Sequence, residues 1–302
     1  MEPLIEAPAP GLPPGCGRHA QALIDRHTRR LEHLCPRVLH DRDPEDLHQL
    51  RVCLRRLRTA LDQFGPALLL PAGLGPRPIA AVARRTGRTR DLDVLQARLR
   101  DDLLPVLPDD ERRRLLRALG PLGQARRRAF VDLRRALERP AFSRQRHQLG
   151  RWLEQPLFTP LGEQPLAPWL VDWRLALLAD LFLLPGWWAG DPASPRLHDL
   201  RKRLKGVRYG LEHLEAWSPP PLQDWVQELR QAQDHLGALQ DLAVLYRSLQ
   251  RPPVRLRWSR MPALAALLQD EQCRHWSRWQ QVAARLSDPA GRSRLQRLLL
   301  ET

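Results

Sequence analysis

A chain of 302 residues with 43% hydrophobic and 27% charged residues has the apolar content of one large domain or of two half-domains, which excludes a disordered chain. Its 49 Lys and Arg against 34 Asp and Glu leave a net charge of +15, which points to a polyanionic partner: nucleic acid, an anionic membrane or polyphosphate. Four scattered cysteines with no C-x-x-C pair exclude a disulfide framework and a zinc site, and free thiols fit a reducing cytoplasm.

Residues 1–17 are Pro-rich, with an early Glu and neither a basic region nor a long apolar run, so they read as a disordered tail and not as a signal peptide. Beyond them, apolar residues recur at three- and four-residue spacings, and no stretch alternates for long with β-branched residues. The chain is therefore predicted to be all-α. Asp43 followed by Pro44 is a helix start, an N-cap before a proline at the first helical position. Pro and Gly cluster at 65–78, 105–108, 120–123, 156–168, 185–195, 218–221 and 252–262, which read as helix connections. The most apolar stretch, 169–188, is broken by Asp172, Arg174, Asp180 and Pro185, so it reads as a buried helix and not a membrane span. Ser194 followed by Pro195 repeats the helix start of Asp43 and Pro44.

That repetition is general. Residues 48–58 read HQLRVCLRRLR and residues 198–208 read HDLRKRLKGVR; GRTRDLDVL at 87–95 and GALQDLAVL at 237–245 share the same offset. Two matches at one offset make the chain an internal duplication, with halves at 18–150 and 151–302.

On a helix, Leu50, Leu54, Leu57 and Leu61 fall within an arc of roughly 60°, and Leu200, Leu204, Val207 and Leu211 match them; that stripe is core. His48, Arg51, Arg55 and Arg58 fall within another arc of roughly 80°, matched by His198, Arg201, Lys205 and Arg208. This row borders the core stripe instead of opposing it. Like charges so placed repel, and acidic partners inside the fold or a bound polyanion must offset that cost. Asp62 and Glu212 lie one turn beyond Arg58 and Arg208 and can neutralise part of the row. Lys202 and Lys205 are the only lysines in the chain, and both lie in this motif. Asp91 and Asp241 match, as carboxylates that orient a nearby Arg or cap a helix. Gly87 and Gly237 match too, and imply a close helix approach or a kink.

The segments DPEDLHQLRVCLRRLR (43–58), GRTRDLDVL (87–95), HDLRKRLKGVRY (198–209) and LGALQDLAVL (236–245) resemble the signatures of the CHAD family, the conserved histidine α-helical domain. The resemblance runs in order along the chain after residue 17. It implies an internally duplicated bundle of long helices, two pseudo-two-fold related halves and a central basic cleft that binds inorganic polyphosphate, on polyphosphate granules in the cytoplasm. Carried over, the cleft residues are His48, Arg51, Arg55, Arg58, His198, Arg201, Lys205 and Arg208, with Arg56, Arg88, Lys202 and Tyr209 close by. The E-x-E-x-K pattern of the triphosphatase domain fused to some relatives is missing. The second block also lacks the arginines of the first, so unequal halves are expected.

Guanidinium groups offer forked donors to phosphate oxygens, and a helix holds them at a fixed pitch. No cofactor or metal is expected: neither motif histidine has an accompanying H-x-x-x-H or carboxylate cluster, and neighbouring cations repel a metal. Protonation of His48 and His198 beside a polyanion is expected to tighten binding as pH falls. His27, His33 and His40 read as surface or interface residues. Two alternatives stand. One is weak, non-specific nucleic-acid binding, although no recognised nucleic-acid motif is present. The other is a phosphoanhydride-processing enzyme, although the basic row lacks the carboxylate cluster that holds Mg²⁺. A scaffold recruiting other granule proteins is compatible with polyphosphate binding.

Overall fold

Proline sets most of the helix starts. The computed structural model describes residues 14–300. Among them the helices are α1 (Cys16–His40), α2 (Pro44–Gln63), α3 (Pro76–Ala97), α4 (Asp109–Leu137), α5 (Pro140–Glu154), α6 (Leu170–Leu178), α7 (Pro195–Glu212), α8 (Pro220–Gln250), α9 (Pro262–Ser287) and α10 (Pro289–Leu300). Seven of the ten begin on proline, where a fixed φ is pre-organised and the missing N–H has no intrahelical partner anyway. At α2 the expected cap forms: the Asp43 carboxylate accepts from Glu45 N at 2.8 Å. At α7 the Ser194 side chain makes no such bond; Asp191 shapes that turn, accepting from Ala193 N at 2.8 Å. The chain is all-α apart from one short antiparallel pairing, Leu68–Leu69 with Leu157–Phe158.

The helices pack in two successive runs. α1 lies on α2, α2 on α3 and α3 on α4; then α6 lies on α7, α7 on α8 and α8 on α9. The two motif helices, α2 and α7, touch each other and join the runs. Their apolar stripes cause this: Leu50, Leu54, Leu57, Leu61, Leu200, Leu204, Val207 and Leu211 are all buried in one core cluster. Each such side chain contributes about 1.5–3 kcal/mol by leaving water. A second cluster, including Leu99, Leu115, Leu122, Leu245, Leu249 and Leu264, ties α3 and α4 to α8 and α9. There the buried Glu111 of α4 accepts from the N–H groups of Ala263 (2.8 Å) and Leu264 (2.9 Å), placing an anion at the N-terminus of α9.

Four expectations are corrected. Of the expected tail 1–17, residues 1–13 lie outside the described residues, but Cys16 and Gly17 begin α1 and are buried. Glycine allows this: Gly17 presses on the Phe158 ring, and its N–H and that of Cys16 donate to Gly162 O and Gln164 O at 2.8 Å. The expected boundary at 150/151 falls inside α5, so the linker starts at 155. The Pro and Gly at 120–123 do not interrupt α4. Pro121 costs a helix interior about 3 kcal/mol, and burial of Leu115 and Leu122 in the second cluster offsets it. His27 is not a surface residue but is buried beside His213, with ring centroids 6.1 Å apart.

That histidine cluster makes the fold acid-sensitive. His19 Nε2 bonds His213 O at 2.8 Å, and His213 Nδ1 bonds Gln63 Oε1 at 2.9 Å, linking α1, α2 and the end of α7. Burial pushes His19 down to about 4, the His213 carbonyl opposing, and pushes His213 well below the usual imidazole range. The folded state therefore binds fewer protons than the unfolded chain below the ordinary histidine pKa. The stability due to the neutral rings is present above about pH 6.5 and is lost as pH falls toward 4, on the order of 3 kcal/mol for His19 alone. Melting curves from pH 7 to pH 4 are expected to show a falling midpoint, and a shallower fall in His19→Gln. Equal slopes would remove His19 from this role.

Candidate anion-binding site

Because the cationic row borders the core stripe on each motif helix, packing α2 against α7 turns the two rows toward a common recess. Arg51, Arg55 and Arg58 of α2 and Arg201, Lys202, Lys205 and Tyr209 of α7 line a cavity of about 250 Å³. Arg51 is held at its rim: Nη1 donates to Thr86 Oγ1 at 2.9 Å. Arg55 Nη1 donates to the Tyr209 hydroxyl at 3.1 Å. Arg201 Nε is buried without a partner. Burial pushes the Arg51 and Arg201 guanidiniums down, opposed by Asp91 for the first and Asp241 for the second. Burial, then Arg201 and Arg55, push the Lys205 ammonium down to about 7. Desolvation raises the carboxyls of Asp91 and Asp241, the cations beside them opposing. An array whose cations depress one another is short of negative charge, and an entering anion relieves that repulsion.

The motif glycines make this arrangement possible. A Cβ on Gly87 would lie 3.4 Å from Arg51 Nη1, and one on Gly237 would lie 3.2 Å from Arg201 Nη2. Each glycine thus leaves room for an arginine head from the facing helix, which is the close approach that the sequence implied.

The CHAD domain family model matches residues 22–250. The chain belongs to the CHAD family. Among solved structures, the crystal structure of the CHAD domain from the plant Ricinus communis is similar over 98% of this chain and 96% of that one, at 23% identity and a TM-score of 0.63. PptA from Streptomyces chartreusis is similar over 89% of this chain and 99% of that one, at 19% identity and a TM-score of 0.61. At these identities the likeness establishes the fold. No curated protein matches the sequence.

In this CHAD chain the twelve residues named from sequence separate into groups. Seven line the recess, and His48 stands beside it, its imidazole pushed down by burial and then by Arg90. Arg208 and Arg56 belong to the framework instead. Arg208 is buried, donates to Glu212 and to Gln233 Oε1 (3.1 Å), and lies over the Tyr209 ring at 4.4 Å. Arg56 pairs with the same Glu212 at 3.2 Å. Glu212 therefore neutralises the far end of the α7 row, whereas no ion pair joins Asp62 to Arg58 among the described residues. His198 faces a separate groove of about 880 Å³, where leucines such as Leu236, Leu239 and Leu268 alternate with polar side chains such as Gln240, Gln269 and Gln272. Burial, then Lys202, push its imidazole down.

Arg88 lines an adjoining recess of about 520 Å³ with Arg84, Arg247 and Arg251. Gly87 borders both recesses, since it lines this one and touches Arg51. Sequence reasoning missed Arg247 and Arg251, because α8 was judged from its motif block, which is poor in cations. Their four-residue spacing just beyond that block is the signal that would have found them.

Proposed function

We propose that this CHAD domain binds inorganic polyphosphate along the cationic recess between α2 and α7, as a binding protein and not an enzyme. One observation carries the reading: Arg51, Arg55, Arg58, Arg201 and Lys205 converge from two helices on one cavity and form no ion pair among the described residues, at a cost that a polyanion offsets. Forked guanidinium donors suit phosphate oxygens, and the buried Tyr209 is the single aromatic side chain among the residues that line the recess. The family resemblance supports the same ligand. Such a ligand places the protein on cytoplasmic polyphosphate granules, with other granule proteins as neighbours and only weak, non-specific affinity for nucleic acid. Among the described residues no helix is long and apolar enough to cross a membrane.

Titration with long-chain polyphosphate across a range of salt tests the reading. Release of counterions from a polymer held by about six cations gives a log–log slope near −4. A slope near zero, or orthophosphate binding as tightly as the polymer, contradicts the proposal. Gly237→Ala supplies a finer check. The added methyl favours the helix by up to about 1 kcal/mol but displaces the Arg201 head, so thermal stability is expected to hold or rise while polyphosphate affinity falls several-fold. Unchanged affinity would separate Arg201 from the ligand.

A further inference from the structure

The fold treats the chain's two lysines differently. Lys202 is exposed and pairs with Asp199 at 3.2 Å. Lys205 lies half-buried in the recess, with Arg51 and Arg55 of α2, Arg201 of its own helix and Asp241 of α8 around it. Arg58, Lys202 and Tyr209 complete the wall. Each guanidinium is a phosphate-holding fork, and Lys205 is the one amine they surround. We infer that Lys205 is an acylation site for acyl phosphates: Arg51, Arg55 and Arg201 hold the phosphate group, and the Lys205 amine attacks the carbonyl carbon bonded to it.

The chemistry balances without another co-reactant. The free amine adds to the carbonyl carbon, and the C–O bond to phosphate breaks. Inorganic phosphate leaves with the electron pair, and the proton lost from nitrogen passes to it or to water. An amide on Nζ remains. The step needs a neutral amine, and Lys205 meets that need: burial, Arg201 and Arg55 bring its ammonium down to about 7, Asp241 opposing. The cationic neighbours bind the phosphate, and burial, the largest cause, still favours the neutral amine when the bound anion offsets their repulsion. The amide also removes one positive charge from the recess. That this weakens polyphosphate binding rests on the function proposed above; the acylation itself does not.

Acetyl phosphate is the probe. The full chain is incubated with it at about pH 7.5, and acetylation of Lys202 and Lys205 is quantified by mass spectrometry. The larger neutral-amine fraction and the held phosphate are expected to make Lys205 react at least about tenfold faster than Lys202, despite its lower exposure. Inorganic triphosphate is expected to block the reaction. N-hydroxysuccinimidyl acetate, which carries no phosphate, is expected to give a smaller preference. A preference for Lys202, no label on Lys205, or equal ratios with the two reagents overturns the inference. Polyphosphate titration of the same preparation keeps the two claims apart. A chain that fails to bind polyphosphate before the reagent is added, yet is then acetylated preferentially at Lys205, sinks the proposed function alone. A chain that binds polyphosphate but is acetylated at Lys202 sinks this inference alone.

Discussion

Replacing Arg51, Arg55, Arg201 and Lys205 together with Ala is expected to weaken polyphosphate binding at least about 1,000-fold at about 150 mM salt, with the chain still folded. Hydrogen bonds to charged groups contribute about 1.5–3 kcal/mol each. Four such losses exceed the roughly 4 kcal/mol that a 1,000-fold change requires, even if they are far from additive. The fold should survive because, among the described residues, none of the four takes part in an ion pair. Arg51 bonds a threonine hydroxyl and Arg55 a tyrosine hydroxyl. Relief of the repulsion among desolvated cations is opposed by Asp91 and Asp241, which lose the cations beside them, so the melting temperature is expected to change little. Binding curves and melts on the same variant check both halves. Retained affinity would make the row a structural feature.

Glu212→Ala is expected to do the reverse, costing about 3–5 kcal/mol of stability while changing polyphosphate affinity little. Glu212 accepts from the buried Arg208, pairs with Arg56 at 3.2 Å and lies 3.7 Å from Arg230. Its removal leaves the Arg208 guanidinium buried with only Gln233 as hydrogen-bond partner, which is the costly case of a desolvated charge without its counter-ion. Denaturant unfolding measures the loss. A drop in affinity as large as that of the quadruple variant would return Arg208 to the binding row.

The core-facing Leu stripe and the cationic row beside it were legible in sequence, because both depend only on helical periodicity. So were the cap of Asp43 and the spare room at Gly87 and Gly237. What failed depends on neighbours that a helical wheel does not contain. Arg208 and Lys205 are one turn apart and share a face, yet Glu212 takes the first inward and leaves the second in the recess. His198 matches His48 position for position, but it faces a separate groove walled by α8 and α9. Pro121 looked like a connection because propensity is local, whereas the packing of Leu115 and Leu122 is not. Arg247 and Arg251 escaped notice because they contribute to the site only through what α3 places opposite them.

The most direct test is competition between long-chain polyphosphate and duplex DNA for the unmodified chain at about 150 mM salt. Matching of helix-borne guanidiniums to consecutive phosphates is expected to let polyphosphate displace DNA at far lower concentrations of phosphate units. If DNA competes equally per phosphate, the recess is a general polyanion surface and the central claim fails.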